Sequence, residues 1–169
     1  MVRLHGERDW HEVYRRTRLS RIPEPQRQRY LELRRRRDLE AIVDPVLAAE
    51  LRWLGLAAEF AEATVAKRFA WRAPRPTRLG QRCRERELGA DFARQFATEN
   101  TRERLRDLDV PVLVVHGDAD PRPLAAVETL AIELPRAELV VMPGVGHFPY
   151  LEAPDRLAQV IRRFLASLP

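Results

Sequence analysis

Two side chains of complementary chemistry stand 27 residues apart near the end of the chain. Asp118 and Asp120 follow the run Val110-Pro111-Val112-Leu113-Val114-Val115-His116-Gly117, and His147 follows Glu138-Leu139-Val140-Val141-Met142 and the loop Pro143-Gly144-Val145-Gly146. A carboxylate that accepts the Nδ1 proton of an imidazole fixes its tautomer and stabilises the imidazolium formed when Nε2 takes a proton from a nucleophile. Taken singly, each group has an ordinary explanation: an Asp after a strand is a turn former or helix cap, and a loop His is a surface residue. The pair is set apart by position. Both loops follow short, largely β-branched runs, and in an open parallel sheet the loops at the carboxyl ends of the strands share one crevice. His116 is read as a residue that orients the loop rather than one that reacts.

The elements that must position this pair read as strand, loop, helix, strand, loop, helix. Val110 to Val115 has the pattern of a parallel strand buried on both faces, Leu124 to Leu134 is a helix, Glu138 to Met142 a second strand, and Ala153 to Leu168 a terminal helix. In that last helix Leu157, Val160, Ile161, Phe164 and Leu165 are expected to face inward. Strands alternating with helices predict an α/β class with a parallel sheet. Before Asp107 the chain instead reads as helices broken by prolines. One starts near Glu24 and runs through Arg37, with Arg34 to Arg37 spread over more than one face as a solvated surface. Another starts at Asp44-Pro45, Asp as cap and Pro in the first turn, and continues with helical spacing to Phe69, with a possible break at Gly55. Trp71-Arg72-Ala73-Pro74-Arg75-Pro76 ends that run, and Gly89 to Leu105 is a further helical stretch.

Composition narrows the classes. The chain has 169 residues, 45% of them hydrophobic, enough for one globular unit with a core. A single cysteine, Cys83, excludes an internal disulfide, and residues 1–30 lack the apolar run of a signal peptide, so a cytoplasmic setting is expected. Charged residues interrupt every candidate membrane span. The net charge is +5, and only Lys67 among the 30 basic residues is lysine. Residues 110–169 carry −2 and residues 1–109 carry +7, but acids are interleaved with the arginines throughout. That interleaving favours solvated helix faces over a nucleic-acid surface. No metal cluster, phosphate loop or dinucleotide fingerprint is present, and no cofactor is implied.

The segment Leu105 to Pro169 resembles the C-terminal part of the α/β-hydrolase family. The resemblance lies in Val110-Pro111-Val112-Leu113-Val114-Val115-His116-Gly117-Asp118-Ala119-Asp120-Pro121-Arg122-Pro123, in Leu134-Pro135, in Pro143-Gly144-Val145-Gly146-His147-Phe148-Pro149 and in Glu152-Ala153-Pro154. It assigns the acid to Asp120, three residues after the strand-ending glycine, and the base to His147, and it leaves Asp118 as a turn residue. It also implies two βα units of the sheet over residues 105–169, preceded by a helical, arginine-rich cap-like region over residues 1–104. The Asp-Pro-Arg-Pro step and the helical insertion look most like proline iminopeptidase-type hydrolases, which implies release of an N-terminal proline with cap acids binding the free amine, the partner being a small ester or peptide substrate once a nucleophile-bearing segment completes the site.

The nucleophile of that family pattern is missing. It would be a serine in Gly-x-Ser-x-Gly ahead of the acid. The two serines, Ser20 and Ser167, lack flanking glycines, and Cys83 has Gln81 and Glu85 in their place. The oxyanion pattern is absent as well, since His5-Gly6 is followed by Glu7. The chain is therefore expected to be a truncated or split serine hydrolase with negligible turnover by itself. The alternatives are a non-catalytic interaction module or, less favoured, a nucleic-acid binder. Two parallel strands leave unpaired edges, so self-association or a partner chain is expected to cover them.

Overall fold

The structure, a computed structural model, describes residues 7–39, 44–72, 88, 91 and 101–169. The first half is helical. Helix α1 spans Glu7–Ser20, α2 Glu24–Leu39, α3 Pro45–Ala57 and α4 Ala63–Arg72. Prolines mark the starts of α2 and α3, as their fixed φ suits a first turn where no N–H is needed. Asp44 caps α3 by accepting from Val46 N at 2.8 Å, with Pro45 in the first helical position.

The α2 and α3 helices pack around Ile22, Tyr30, Leu33, Leu54 and Ala58, with Leu19, Leu47, Leu51 and Trp53 against that cluster. An ion pair fastens the same two helices: Arg29 donates from Nε and Nη2 to the two carboxylate oxygens of Glu50, each at 2.9 Å. Gly55 does not divide the helical run. A Cβ there would lie 3.2 Å from an Arg18 guanidinium nitrogen, and that guanidinium donates to Gly55 O at 2.7 Å, so glycine here admits a side chain. The break comes later, at residues 58–62 between α3 and α4, and this connector reaches the second half.

The second half begins with α5, Thr101–Arg106, then β1, Val112–Gly117, α6, Leu124–Glu133, and β2, Ala137–Met142. It ends with a one-turn helix α7, Pro149–Glu152, and α8, Pro154–Ala166. The strands pair in parallel from Val112 opposite Ala137 to Gly117 opposite Met142, and α6 crosses between them and packs on both. The expected parallel α/β arrangement is thus present, with β1 starting two residues later than the apolar run. Pro111 lies just outside the strand, where its missing N–H costs no ladder bond. The other sequence-predicted features, the Gly89 to Leu105 helix apart from α5 and the prolines at 74 and 76, lie outside the described residues, as does Cys83.

One expectation is corrected. The apolar stripe of α8 does not face inward throughout: Ile161 is 40% and Leu165 58% exposed, and Ile132 on α6 is 83% exposed. Among the described residues each strand has a neighbour on one side only, so the layer that such a stripe would pack against is incomplete. No helix among the described residues is long and apolar enough to cross a membrane.

Candidate functional site

The two loops at the carboxyl ends of β1 and β2 are laced together before any reactive group is considered. Asp118 N donates to Met142 O at 3.1 Å, Ala119 N to Val145 O at 3.0 Å, and Asp118 Oδ1 accepts from Gly144 N at 2.6 Å. Gly144 has φ 67°, a left-handed conformation that disfavours a side chain. At Gly117 a Cβ would collide with the carbonyl oxygens of Val145 and Gly146, so glycine is what allows the loops to touch. Asp118, the competing acid, is occupied as the turn residue that ties one loop to the next.

Asp120 is then aimed at His147. Its Oδ1 accepts from the backbone N–H of Arg122 at 2.8 Å, and its Oδ2 lies 2.8 Å from His147 Nδ1. The Asp120 side chain is 4% exposed and that of His147 36%. Burial by itself would push the Asp120 carboxyl up. The hydrogen bond with His147, the N–H of Arg122 and the charges of both residues outweigh it and hold the carboxyl below its ordinary 3.8. An ionised carboxylate only accepts, so the shared proton belongs to Nδ1 and Nε2 is left as the basic atom. His116 is buried with Nδ1 3.8 Å from Asp120 Oδ2, too far for a hydrogen bond but close enough to shape the pocket of the acid.

The depressed carboxyl has a consequence for stability. The native state binds the Asp120 proton less readily than the unfolded chain, so this contribution is present above about pH 4 and lost as pH falls through the lowered value. Urea unfolding over roughly pH 6 to 3 is expected to show a flatter acid limb for Asp120→Asn than for the native chain. Parallel curves would show that Asp120 is not held in its charged form.

Around the pair lies a network that sequence reasoning missed. Glu59, in the connector between α3 and α4, is 5% exposed and sits among Tyr14, Arg18 and Arg122. Tyr14 donates to Glu59 Oε1 at 2.5 Å, and Arg122 Nη1 donates to Glu59 Oε2 at 2.7 Å and to Asp120 Oδ1 at 3.2 Å. Arg18 Nε is 2.7 Å from Glu59 Oε1, ion-pair distance but off the line of a hydrogen bond. Burial, then the bond to and charge of Glu59, push the Tyr14 phenol up to about 12 against the opposing pull of Arg122 and Arg18. Burial opposes the Arg122 charge, yet Glu59, Tyr14 and Asp120 together hold its pKa above the ordinary value.

The connector also grips the histidine loop directly. His147 N donates to Glu59 O at 2.7 Å. Glu152 accepts three backbone N–H groups, from Ala61 at 2.8 Å and from Gly146 and Phe148 at 3.1 Å. Phe60 packs on Phe148 with ring centroids 4.9 Å apart. The acid-loop carbonyl of Ala119 also accepts from Arg21. Arg122 and Glu152 stood inside the motifs that the sequence presented, but Tyr14, Arg18 and Glu59 had no local signal, since their contacts with one another and with Arg122 span 41 to 108 residues.

Neither serine hydroxyl is turned to the histidine: Ser20 donates to Thr17 O at 2.9 Å and Ser167 to Phe164 O at 2.7 Å. Among the described residues no group of three or more His, Cys, Asp or Glu could hold a metal ion.

Residues 8–160 match the sequence profile described as the alpha/beta hydrolase family. Lipase 1 of Psychrobacter immobilis is 32% identical over 95 residues, 52% of this chain and 29% of that protein. The pimeloyl-(acyl-carrier protein) methyl ester esterase of Aromatoleum aromaticum is 39% identical over 82 residues, 48% of this chain and 32% of that one. Among solved structures, the 2-hydroxy-6-oxo-6-phenylhexa-2,4-dienoate hydrolase of Rhodococcus sp. strain RHA1 superposes with a TM-score of 0.56 at 22% identity, covering 80% of this chain and 49% of that one. A proline iminopeptidase of Mycobacterium smegmatis superposes with a TM-score of 0.48 at 22% identity, over 94% and 52%. The chain thus spans about half of the solved neighbours and under a third of these curated relatives.

Proposed function

We propose, because the chain belongs to the α/β-hydrolase family, that Asp120 and His147 are the acid and base of a serine-hydrolase site whose nucleophile comes from a segment outside these 169 residues. The observation that carries this is the 2.8 Å contact between buried Asp120 Oδ2 and half-exposed His147 Nδ1. In the completed site His147 Nε2 takes the proton of the nucleophile's hydroxyl as its oxygen attacks the substrate carbonyl carbon. Asp120 stabilises the imidazolium, which then protonates the leaving oxygen as its bond to carbon breaks. Water repeats the cycle on the acyl intermediate, with His147 again as base. Residues up to Arg104 act as a cap over the site, and residues from Leu105 onward as its α/β core.

Carboxylic esters are the substrate class that fits best. The curated relatives are named as a lipase and a methyl ester esterase, and the buried acid of the helical half, Glu59, is already engaged by two arginines and a phenol rather than left for a substrate amine. The chain by itself is inactive in this reading, because Ser20 and Ser167 bond their own helix ends and Cys83 lacks the flanking glycines of a nucleophile turn.

The test has two arms. The purified chain should turn over p-nitrophenyl acetate no faster than its His147→Ala variant, and neither should cleave proline p-nitroanilide. Co-expressed with a segment that carries Gly-x-Ser-x-Gly and is encoded beside it, the chain should gain ester turnover that His147→Ala removes. Turnover by the chain alone that disappears in His147→Ala would place a nucleophile within it, with Ser20 and Cys83 the first to replace. Faster release from proline p-nitroanilide than from the ester in the completed site would overturn the ester assignment.

A further inference from the structure

Glu59 touches the histidine loop directly and the acid through Arg122, and the two contacts use different parts of the residue. Its backbone oxygen accepts from His147 N at 2.7 Å. Its carboxylate accepts from Arg122 Nη1 at 2.7 Å, and the same nitrogen reaches Asp120 Oδ1 at 3.2 Å. The shorter contact is the stronger, so Glu59 places the guanidinium and the guanidinium in turn steadies Asp120. Arg122 has other restraints, its face lying 4.6 Å over the Tyr14 ring, but Tyr14 itself is held by Glu59. The fit is close: a Cβ at Gly146, beside the histidine, would stand 2.5 Å from Glu59 O and 2.7 Å from Ala61 N.

We infer that Glu59 is a positioning residue through which the helical half sets the geometry of the Asp120–His147 pair, by its carbonyl on the histidine loop and by its carboxylate, through Arg122, on the acid. This rests on reading Asp120 and His147 as an acid–base pair. The charged groups that face the pair are then accounted for. Asp120 meets Arg122, His147 and His116, and Glu59 meets Arg18 and Arg122. The Glu152 carboxylate is turned to backbone N–H groups of the connector and the histidine loop. One carboxylate on each side of Arg122, Glu59 and Asp120, leaves Asp120 with Oδ2 turned to the imidazole and Oδ1 held away from it. Without Glu59, the Arg122 guanidinium can swing toward solvent, leaving Oδ1 with the backbone N–H of Arg122 alone and the carboxylate freer to rotate away from the imidazole.

The experiment reads the His147 Nδ1 proton by NMR in the full chain, with the resonance assigned by its loss in His147→Gln. Its exchange with water reports how well the Asp120 bond is held, and needs no nucleophile. Glu59→Gln and Arg122→Gln are each expected to speed that exchange about tenfold, the factor that weakening one charge-assisted hydrogen bond implies. Arg122→Lys, which keeps the charge, should fall between them and the native chain. Because Glu59 acts through Arg122, the Glu59→Gln effect should vanish in an Arg122→Gln background. Backbone amides of β1 and β2 should keep native protection in all three, which a general loosening would not allow. Exchange within about twofold of native in both single variants, while Asp120→Ala abolishes the protected proton, would overturn the role of Glu59 alone. No protected proton in the native chain, or one indifferent to Asp120→Ala, would sink the acid–base pair itself.

Discussion

Removing the histidine is expected to lower kcat of the completed site by roughly 10⁶-fold, and Asp120→Ala to lower it by roughly 10⁴-fold. The asymmetry follows from the geometry. In the proposed completed site His147 carries the proton in both half-reactions, whereas Asp120 Oδ2, 2.8 Å from the ring, only orients it and stabilises its charge. KM should change little, since an acid and a base acting in this way stabilise the transition state rather than hold the bound substrate. The double variant should be no slower than His147→Ala, because an acid without its imidazole has nothing to orient. Steady-state kinetics of the four proteins measures all of this. An Asp120→Ala loss below about tenfold would mean that the carboxylate is structural and that the imidazole finds its tautomer without it.

The largest stability change is expected at Glu59. Truncation to alanine leaves two guanidinium groups and the Tyr14 hydroxyl facing one another around a void with no acceptor, and breaking a buried ion pair from one side costs about 3–5 kcal/mol. Arg18 and Arg122 are 19% and 29% exposed, so water relieves part of the penalty and the lower end, about 3 kcal/mol, is the expected value. For a domain whose whole stability is on the order of 5–15 kcal/mol, that is a large share. Glu59→Gln keeps an acceptor and a similar shape and should cost about 1–2 kcal/mol. Urea midpoints at neutral pH give both numbers, and the difference should persist in moderate salt because the groups are shielded from counterions. A Glu59→Ala protein within about 1 kcal/mol of native would contradict the network as a source of stability.

Much of the second half was legible before the fold was seen. β-branched runs, a glycine at the end of β1, the acid three residues later and a histidine after a glycine-bounded loop are all local features; the strands and the crossover helix came out as read, and Asp120 Oδ2 lies 2.8 Å from His147 Nδ1. Local cues also marked helix starts, because a proline in the first turn and an Asp cap act within one turn of the chain. The break assigned to Gly55 was misplaced for the opposite reason. A glycine within a helix reads as a weak point from sequence, but here it makes room for Arg18, a residue 37 positions earlier.

The inward face assigned to α8 failed in a related way. Periodicity shows which residues of a helix are apolar, and Leu157, Val160, Ile161, Phe164 and Leu165 do form a stripe. Whether the stripe is covered depends on what lies beside the sheet, and Leu165 remains largely exposed.

Sequence by itself determined the family, the order of the elements and the two loops that carry Asp120 and His147, since those are written in short motifs and in periods of two and 3.6 residues. Only the tertiary structure decided between Asp118 and Asp120 on physical grounds, turning one carboxylate to Gly144 N and the other to His147. It alone joined Tyr14, Arg18, Glu59 and Arg122 into one buried network. Such a network depends on contacts between residues far apart in the chain, where charge and size permit many partners and only the packed arrangement selects among them.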